Sequence, residues 1–541
     1  MKNVVIMPQN LKIQAQEGRT LLEIASDMDL DIDGSCGGKG TCGKCRVTVD
    51  EGNGPQEVLA CRFRVQQDLT VWIDRKNDRT DRKTSVRLPE TFAPDTVLQQ
   101  KCIREGRPLG AAVDIGTTTM VVMLWDIAEA RLLGAEGLNN PQGVYGADVI
   151  SRITFADESL ENLKILQGKA VSAINRAVLH LAEEAGRSVG EILRYAVVGN
   201  TTMSHLFTGT DPRSLAVLPF EPVFTEGKRF AGSQVGLVPP DVQVNLLPNI
   251  AGHVGSDITA GMVACSFLEN DKDGKSASDI DGKRGPRLYI DIGTNGEIGL
   301  INGKRLTVCS AAAGPAFEGS RISCGMRAGT GAIEKARMTS AGMEIAVIGA
   351  ADPLGVCGSG LIDIVCELLH SGVVDKKGRL LSGDELRQKG MPESICALTG
   401  GEGKEKYFTI WKGQKGEQDI RITQNDIREV QLAKGAIAAG IEILLRGENL
   451  SADDLEEVYI AGAFGSYIDL KKAMGIGLLP EIDAGKFKSI GNAAGTGASM
   501  ALMSDKAIEA AEDVRKAAQH VELSVQPDFL EIYSRCMRFK A

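Results

Sequence analysis

The stretch SCGGKGTCGKC sets Cys36, Cys42 and Cys45 within ten positions of one another, and Cys61 follows sixteen residues after the last of them. Thiolates are soft metal ligands, so four cysteines spaced C-x5-C-x2-C-x15-C point to a metal centre. The chain has 12 cysteines in 541 residues, and the other eight are scattered from Cys102 to Cys536 in apolar or glycine-rich runs, where small core thiols are ordinary. A second chemistry is written twice. VDIGTTT places Asp114, Gly116, Thr117, Thr118 and Thr119 at the end of an apolar run, and IDIGTNG places Asp291, Gly293, Thr294, Asn295 and Gly296 in matching positions 177 residues later. Glycine permits the tight turn, while hydroxyls and backbone N–H groups offer donors to a phosphate. One such turn is weak, since hairpins favour Asp, Gly and Thr anyway. Two copies imply a duplicated fold in which each half supplies one phosphate-gripping hairpin.

Zinc ribbons favour two C-x2-C pairs, and only one is present, so Cys36 and Cys61 fit that site poorly. A 2Fe-2S cluster fits better: the plant-type pattern is C-x4-C-x2-C with a distant fourth cysteine, and this chain carries one extra residue in the first gap. Gly37, Gly38, Gly40 and Gly43 let the backbone wrap closely and aim N–H groups at the sulfurs. The expected ligands are Cys36, Cys42, Cys45 and Cys61.

These cysteines need a scaffold. Residues 4–7 and 11–15 alternate apolar and polar, 20–28 carry apolar residues at helical spacing, and 46–50 and 69–73 read as further strands. A small sheet gripping one helix, a β-grasp ferredoxin-like domain over 1–74, is the expectation. The charged run DRKNDRTDRKTSVRLPETFAPD opens a flexible linker over 75–108, which docks an acidic partner or, more blandly, is a solvated tether. The remainder divides into a first lobe, 109–286, and a second, 287–541, giving an α/β multidomain protein.

Length supports several domains, and a composition of 43% hydrophobic and 24% charged residues is that of a folded globular chain. A net charge of −10 argues against nucleic acid or an anionic membrane as partner, and no run of apolar residues suits a signal or a membrane span, so a cytoplasmic location is expected. Five histidines leave little material for a histidine metal site or triad; His253 in NIAGHVG lines a pocket or is structural.

A third element follows the hairpins. EVYIAGAFGSYI runs from a strand into Gly462, Ala463 and Gly465, small residues that let a base and ribose lie against backbone. VVGNTTMSHLF at 197–207 and GNAAGTGASMALM at 491–503 each lead from a strand or turn into a helix, the second suited to a close helix crossing between two lobes. Gln431 and Lys434 on a helix over 426–445 reach the nucleotide or form a polar edge. Glu297 orients water or is an exposed hairpin carboxylate. The small-residue segment 309–333 shapes a pocket or interface, or simply packs tightly.

In this order the motifs resemble the actin, sugar kinase and heat-shock chaperone superfamily. That resemblance implies a duplicated two-lobed ATPase fold closing over ATP, with Asp114 and Asp291 on Mg²⁺ or its waters. Joined to the cysteine domain, the chain resembles the reductive activators of corrinoid-dependent methyltransferases and methyl-carrier proteins. The likeness runs through SCGGKGTCGKC, VDIGTTT, NNPQGVYGADVISRI, GNTTMSHL, LPNIAGHVGSD, IDIGTNGE, AAGPAFEGSRISCGM, GVCGSGLID and YIAGAFG. It implies ATP-dependent transfer of one electron to the inactive cobalt(II) corrinoid of a corrinoid protein, drawn from a low-potential electron donor, with nucleotide-driven conformational change easing a gap that costs about 2.3 kcal/mol per 100 mV. A cluster-bearing redox sensor and a small-molecule kinase are the competing readings. Neither the oligomeric state nor the residue activating the hydrolytic water follows from the sequence.

Overall fold

The computed structural model describes residues 1–8, 10–28, 30, 32, 38, 40, 45–73, 86–269, 285–414, 418–462 and 467–540, apart from the side chains of 26, 27 and 266–269. Cys36, Cys42, Ala463, Gly465 and the charged residues 74–85 lie outside them. The chain divides into two compact units. The first holds Met1–Thr84, Phe92–Ala260 and Ala494–Glu512; the second holds Ser85–Thr91, Gly261–Ala493 and Asp513–Ala541.

The first unit begins with a β-grasp. Strands β1 (Lys2–Met7), β2 (Leu11–Ala15), β3 (Arg46–Asp50), β4 (Gln56–Leu59) and β5 (Leu69–Trp72) form one sheet in the order β2-β1-β5-β3-β4, with β1 parallel to β5. Val4 and Ile6 on β1 face the core and their neighbours do not, the period of two that a strand requires. The helix α1 (Leu21–Asp27) lays Leu21, Leu22 and Ile24 on that same core.

Beyond residue 86, the range expected as a flexible linker holds a helix, α2 (Thr96–Glu105). Asp95 caps it by accepting from the N–H groups of Val97 and Leu98, Gly106 closes it at φ 63°, and Leu98 and Cys102 are buried. The charge density at 74–85 does not extend into it.

The sheet that follows contains β6 (Leu109–Ile115), β7 (Thr119–Asp126), β8 (Arg131–Asn139), β9 (Ile192–Gly199), β10 (Lys228–Ala231) and β11 (Gln243–Leu246), in the order β10-β11-β9-β6-β7-β8. Only Asp114 of the seven residues in β6 is not fully buried, as befits a central strand flanked by parallel β9 and antiparallel β7. Helices α3 (Val149–Asp157), α4 (Leu160–Glu184) and α5 (Thr201–Thr208) accompany the sheet, α4 packing Leu163, Leu166, Ile174, Val178 and Leu181 into the core. Helix α6 (Ser256–Glu269) leaves this unit after Ala260.

In the second unit, β12 (Arg287–Ile292), β13 (Gly296–Asn302) and β14 (Arg305–Ala311) lead into two small three-stranded sheets. These are β15 (Ala332–Thr339), β16 (Gly342–Val347) and β17 (Gly355–Val356), then β18 (Thr399–Gly400), β19 (Tyr407–Trp411) and β20 (Ile420–Thr423). The major sheet is completed by β21 (Glu457–Ala461), β22 (Phe487–Gly491) and β23 (Ala518–His520), in the order β22-β21-β12-β13-β14-β23. Helices α7 (Gly358–His370), α8 (Gly383–Gln388), α9 (Glu393–Cys396) and α10 (Gln424–Gly447) precede β21; α11 (Leu470–Gly475), α12 (Ala493–Met503), α13 (Asp505–Ala517) and α14 (Phe529–Cys536) follow it. The repeat seen in the sequence is structural: β6-β7-β8-β9 and β12-β13-β14-β21 share one pattern, an antiparallel meander with a parallel strand beside its first member. Among the described residues no helix is long and apolar enough to cross a membrane.

Candidate functional site

Cys45 stands immediately before β3 and Cys61 shortly after β4. The antiparallel pairing of these strands closes on Arg46 opposite Leu59, and Ala60 donates its N–H to the Cys45 carbonyl at 2.7 Å. The two buried Sγ atoms are therefore 3.3 Å apart. A disulfide needs about 2.05 Å, so the pair is two thiols side by side with no disulfide between them. That arrangement fits two ligands of one metal atom. Among the described residues no cluster of three or more metal-ligating side chains occurs, the other two cysteines of the motif lying outside them.

The first DIGT turn joins β6 to β7. A Cβ at Gly116 would lie 2.5 Å from the Thr119 carbonyl oxygen, so only glycine fits. Three successive carbonyls of the turn are tied down: Asn140 donates from Nδ2 to Gly116 at 2.8 Å and from its backbone to Thr118 at 2.9 Å, and Arg152 donates from Nη2 to Thr117 at 2.5 Å. In a planar trans peptide the next N–H points opposite to the carbonyl, which directs the N–H groups of Thr117, Thr118 and Thr119 away from Asn140 and Arg152. Successive N–H groups presented this way make an anion cradle.

The side chain of Thr117 is buried and accepts from Asn200 Nδ2 at 2.8 Å. Asn200 also caps α5, accepting from the Met203 N–H at 3.0 Å, so the residue that follows β9 braces the turn and starts a helix. Close approach governs this connector. A Cβ at Gly199 would stand 2.6 Å from the Ile115 carbonyl oxygen and one at Gly255 would stand 2.4 Å from Asn200 Cα. Gly497 on α12 meets the Ala260 carbonyl on α6, where a Cβ would come within 2.0 Å; this is a close helix crossing, and both residues belong to the first unit.

The second turn joins β12 to β13, pairing Asp291 with Glu297 and Ile292 with Gly296. Gly293 donates its N–H to the Asn295 carbonyl at 2.9 Å, and Thr294 donates its hydroxyl to Glu318 at 2.6 Å. Asp291 is crowded enough that burial pushes its carboxyl up to about 6, although the Tyr289 hydroxyl donates to it at 3.2 Å and works in the opposite direction. A desolvated carboxylate of this kind fits a divalent cation, which would restore its charge. Gly462, at φ 93°, follows β21 and lies against this turn: its Cβ would lie 2.7 Å from the Ile292 carbonyl oxygen and 2.9 Å from Asp291 Oδ1. The glycine-rich strand end expected to receive adenosine and the second phosphate turn thus adjoin.

Several expectations change. Gln431 and Lys434 are neither a nucleotide contact nor a polar edge: both are buried, Gln431 donating to the Lys377 and Met537 carbonyls at 3.1 Å and Lys434 to the Arg538 carbonyl at 2.5 Å. They pin the C-terminal segment to α10. Glu297 is buried rather than exposed. His253 rests against Phe220, with ring centroids 4.8 Å apart. In the 309–333 segment tight packing prevails, with a Cβ at Gly325 only 2.2 Å from the Gly319 carbonyl oxygen, yet the same segment sends Glu318 to the second turn. Sequence reasoning on local turns missed Asn140 and Arg152. Their signal was the motif NNPQGVYGADVISRI, which carries both.

Three family models match the chain: "2Fe-2S iron-sulfur cluster binding domain" over residues 4–66, "RACo middle region" over 109–270, and "C-terminal domain of RACo the ASKHA domain" over 286–541. The corrinoid activation enzyme RamQ of Eubacterium limosum is 32% identical across 96% of each chain. A Co(II) methylated amine-specific corrinoid protein reductase from Methanosarcina barkeri is 25% identical over 78% of this chain and 76% of its own. Among solved structures, a reductive activator for a corrinoid, iron-sulfur protein superposes with a TM-score of 0.70 at 29% identity, covering 100% of this chain and 98% of that one.

Proposed function

Since the chain belongs to the family of corrinoid activation enzymes, we propose that it reduces the inactive cobalt(II) corrinoid of a partner protein to cobalt(I), one electron per event, with hydrolysis of ATP. The observation that carries this reading is the occurrence, on one chain, of the paired thiols Cys45 and Cys61 and of two Asp-Gly-Thr hairpins.

Cys36, Cys42, Cys45 and Cys61 hold a 2Fe-2S cluster, which when bound supplies single electrons at a potential near about −400 mV. The β3–β4 hairpin keeps two of these thiols buried and adjacent, and a low-potential one-electron donor recharges the domain. Gly116, Thr117, Thr118 and Thr119, with Gly293, Thr294, Asn295 and Gly296, receive the phosphates of ATP. Asp114 and Asp291 hold Mg²⁺ or its waters. Gly462, with Ala463 and Gly465, leaves room for the adenosine. ATP hydrolysis acts by favouring one conformation over another, which makes a thermodynamically uphill electron transfer possible without a further redox centre.

The test is anaerobic. Cluster-loaded protein, a low-potential chemical reductant, ATP with Mg²⁺ and a cobalt(II) corrinoid protein are mixed while the cobalt(I) absorption is followed. Cobalt(I) forming only with ATP, together with phosphate release stimulated by the corrinoid protein, is the expected result. ATP turnover that neither responds to the corrinoid protein nor yields cobalt(I) would overturn the reading.

A further inference from the structure

Among the described residues Arg152 is the largest fully buried side chain of the first unit, and the groups it donates to are neutral. Nε donates to the Gly146 carbonyl at 2.9 Å, Nη1 to Gln142 Oε1 at 3.1 Å and towards Met203 Sδ at 3.3 Å, and Nη2 to the Thr117 carbonyl at 2.5 Å. One guanidinium thus joins the first phosphate turn to the short 3-10 turn Pro141–Val144 and to the loop behind it. Rigid, planar and forked, it transmits a displacement at one prong to the others.

The far side of that 3-10 turn faces the β-grasp. Val144 packs on the hydrophobic core formed by α1 and the five-stranded sheet. Its carbonyl lies 4.0 Å from the Cβ position of Gly38, which stands between Cys36 and Cys42 in the cysteine loop. Gln142 holds the turn from behind by donating to the Leu166 carbonyl on α4 at 2.9 Å, and the Asn140 side chain accepts from the Gln142 N–H at 3.0 Å. The path from the phosphate turn to the seat of the β-grasp therefore runs from Thr117 through Arg152 to Gln142, and along the 3-10 turn to Val144.

We infer that Arg152 is a positioning residue that couples occupancy of the first phosphate turn to the seating of the cysteine domain on Val144. This deepens the function proposed above and rests on it in one respect, that ATP binds the first turn. A phosphate that draws on the N–H groups of Thr117 to Thr119 rotates the peptide planes whose carbonyls Arg152 and Asn140 hold. The guanidinium carries that rotation to Gln142 and Gly146, and so to the surface on which the cysteine domain rests. Nucleotide state would then decide whether that domain is held or released.

Hydrogen exchange on the full cluster-loaded chain tests this directly, with and without a non-hydrolysable ATP analogue. In the unmodified protein, exchange in α1 and in residues 141–144 is expected to change together on adding the analogue, by about fivefold, the scale on which residues in a coupled network act. Arg152→Lys keeps a cation but loses the fork, and is expected to bind the analogue while α1 no longer responds. Val144→Ser lies outside the phosphate turn and is expected to speed exchange in α1 in both nucleotide states while the protein still binds the analogue. Absence of any response of α1 in the unmodified protein, or a full response in Arg152→Lys, overturns the inference. If Arg152→Lys fails to fold, the unmodified protein and Val144→Ser decide it alone. Cobalt reduction is measured in parallel: success there with no response in α1 removes this inference and leaves the proposed function standing.

Discussion

The two DIGT turns, proposed above to receive the phosphates of ATP, share a strand pattern and differ in what lies behind them. Behind the first are donors, with Asn140 and Arg152 holding its carbonyls and Asn200 holding the Thr117 hydroxyl. Beside the second is an acceptor, Glu318, and within its hairpin a carboxyl at Asp291 that burial has pushed up to about 6. Duplication has preserved the strand pairing on either side of the turn and has let the electrostatics around it diverge. One turn is preset by a cation wired into the surrounding lobe. The other carries a stored desolvation cost that a bound cation would relieve.

The sharpest way to break the contrast is at glycine. A Cβ on Gly116 would lie 2.5 Å from backbone oxygen, whereas one on Gly293 would find its nearest neighbour, the Asn295 carbonyl oxygen, at 3.7 Å. Gly116→Ala is expected to lower ATP turnover by about 100-fold, as a displacement near 1 Å does, and Gly293→Ala by less than about threefold. Equal losses, measured by phosphate release, would show that the two turns are equally constrained. Next is Asp291→Asn, which removes the desolvated charge while keeping the shape: the ligand-free protein should gain stability by about 1–3 kcal/mol in urea unfolding near neutral pH, and ATP turnover should be lost. Asp291→Asn that destabilises the ligand-free protein would contradict the stored cost.

Smaller effects refine the picture. Thr117→Val removes a buried hydroxyl and the bond it accepts from the part-buried Asn200 amide, and should cost about 1–2 kcal/mol. The matching Thr294→Val leaves a part-exposed Glu318 that water can satisfy, so a cost below about 0.5 kcal/mol is expected. The smallest concerns His205 on α5, buried, stacked on Phe224 at 4.5 Å, with Nδ1 donating to the Thr201 carbonyl at 2.8 Å and Nε2 accepting from the Val223 N–H at 3.1 Å. Burial lowers its pKa from 6.5, Lys228 acting in the same direction and the Thr201 bond and Asp211 opposing. The unfolded chain then takes up the proton first, so this residue's contribution is lost as pH falls below about 6.5. His205→Gln should flatten that part of a stability profile measured by thermal unfolding.

The legible parts of the sequence were those whose geometry is local. Asp114, Gly116 and the threonines fall on one turn because three or four adjacent residues dictate it, and the cysteine motif concentrates its meaning in ten positions. Alternation in β1 and the helical spacing of α1 came through for the same reason. Arg152 did not, because its role rests on carbonyl oxygens as far as 35 positions away, and a carbonyl has no side-chain identity to read. Gln431 and Lys434 misled similarly: their partners are main-chain atoms of the C-terminal segment, more than 100 residues on for Met537 and Arg538. The linker range misled at α2, whose Asp95 cap and buried Leu98 and Cys102 lie just past the charge run.

Residues 494–512 belong to the first unit although the chain has by then built nearly all of the second. The buried Arg194 on β9 donates to the Leu502 and Ala501 carbonyls at 2.7 Å and to Asp505 at 2.8 Å, and Asp95 donates its N–H to Met503 at 2.9 Å. On the ribosome the first unit therefore waits. Its central sheet emerges some 300 residues before the segment that satisfies Arg194, a delay of about 15–60 s at ordinary elongation rates. A nascent chain halted before residue 500 would lack the carbonyls that satisfy Arg194 and the helix that meets α6 at Ala260, so the chain should express poorly in halves.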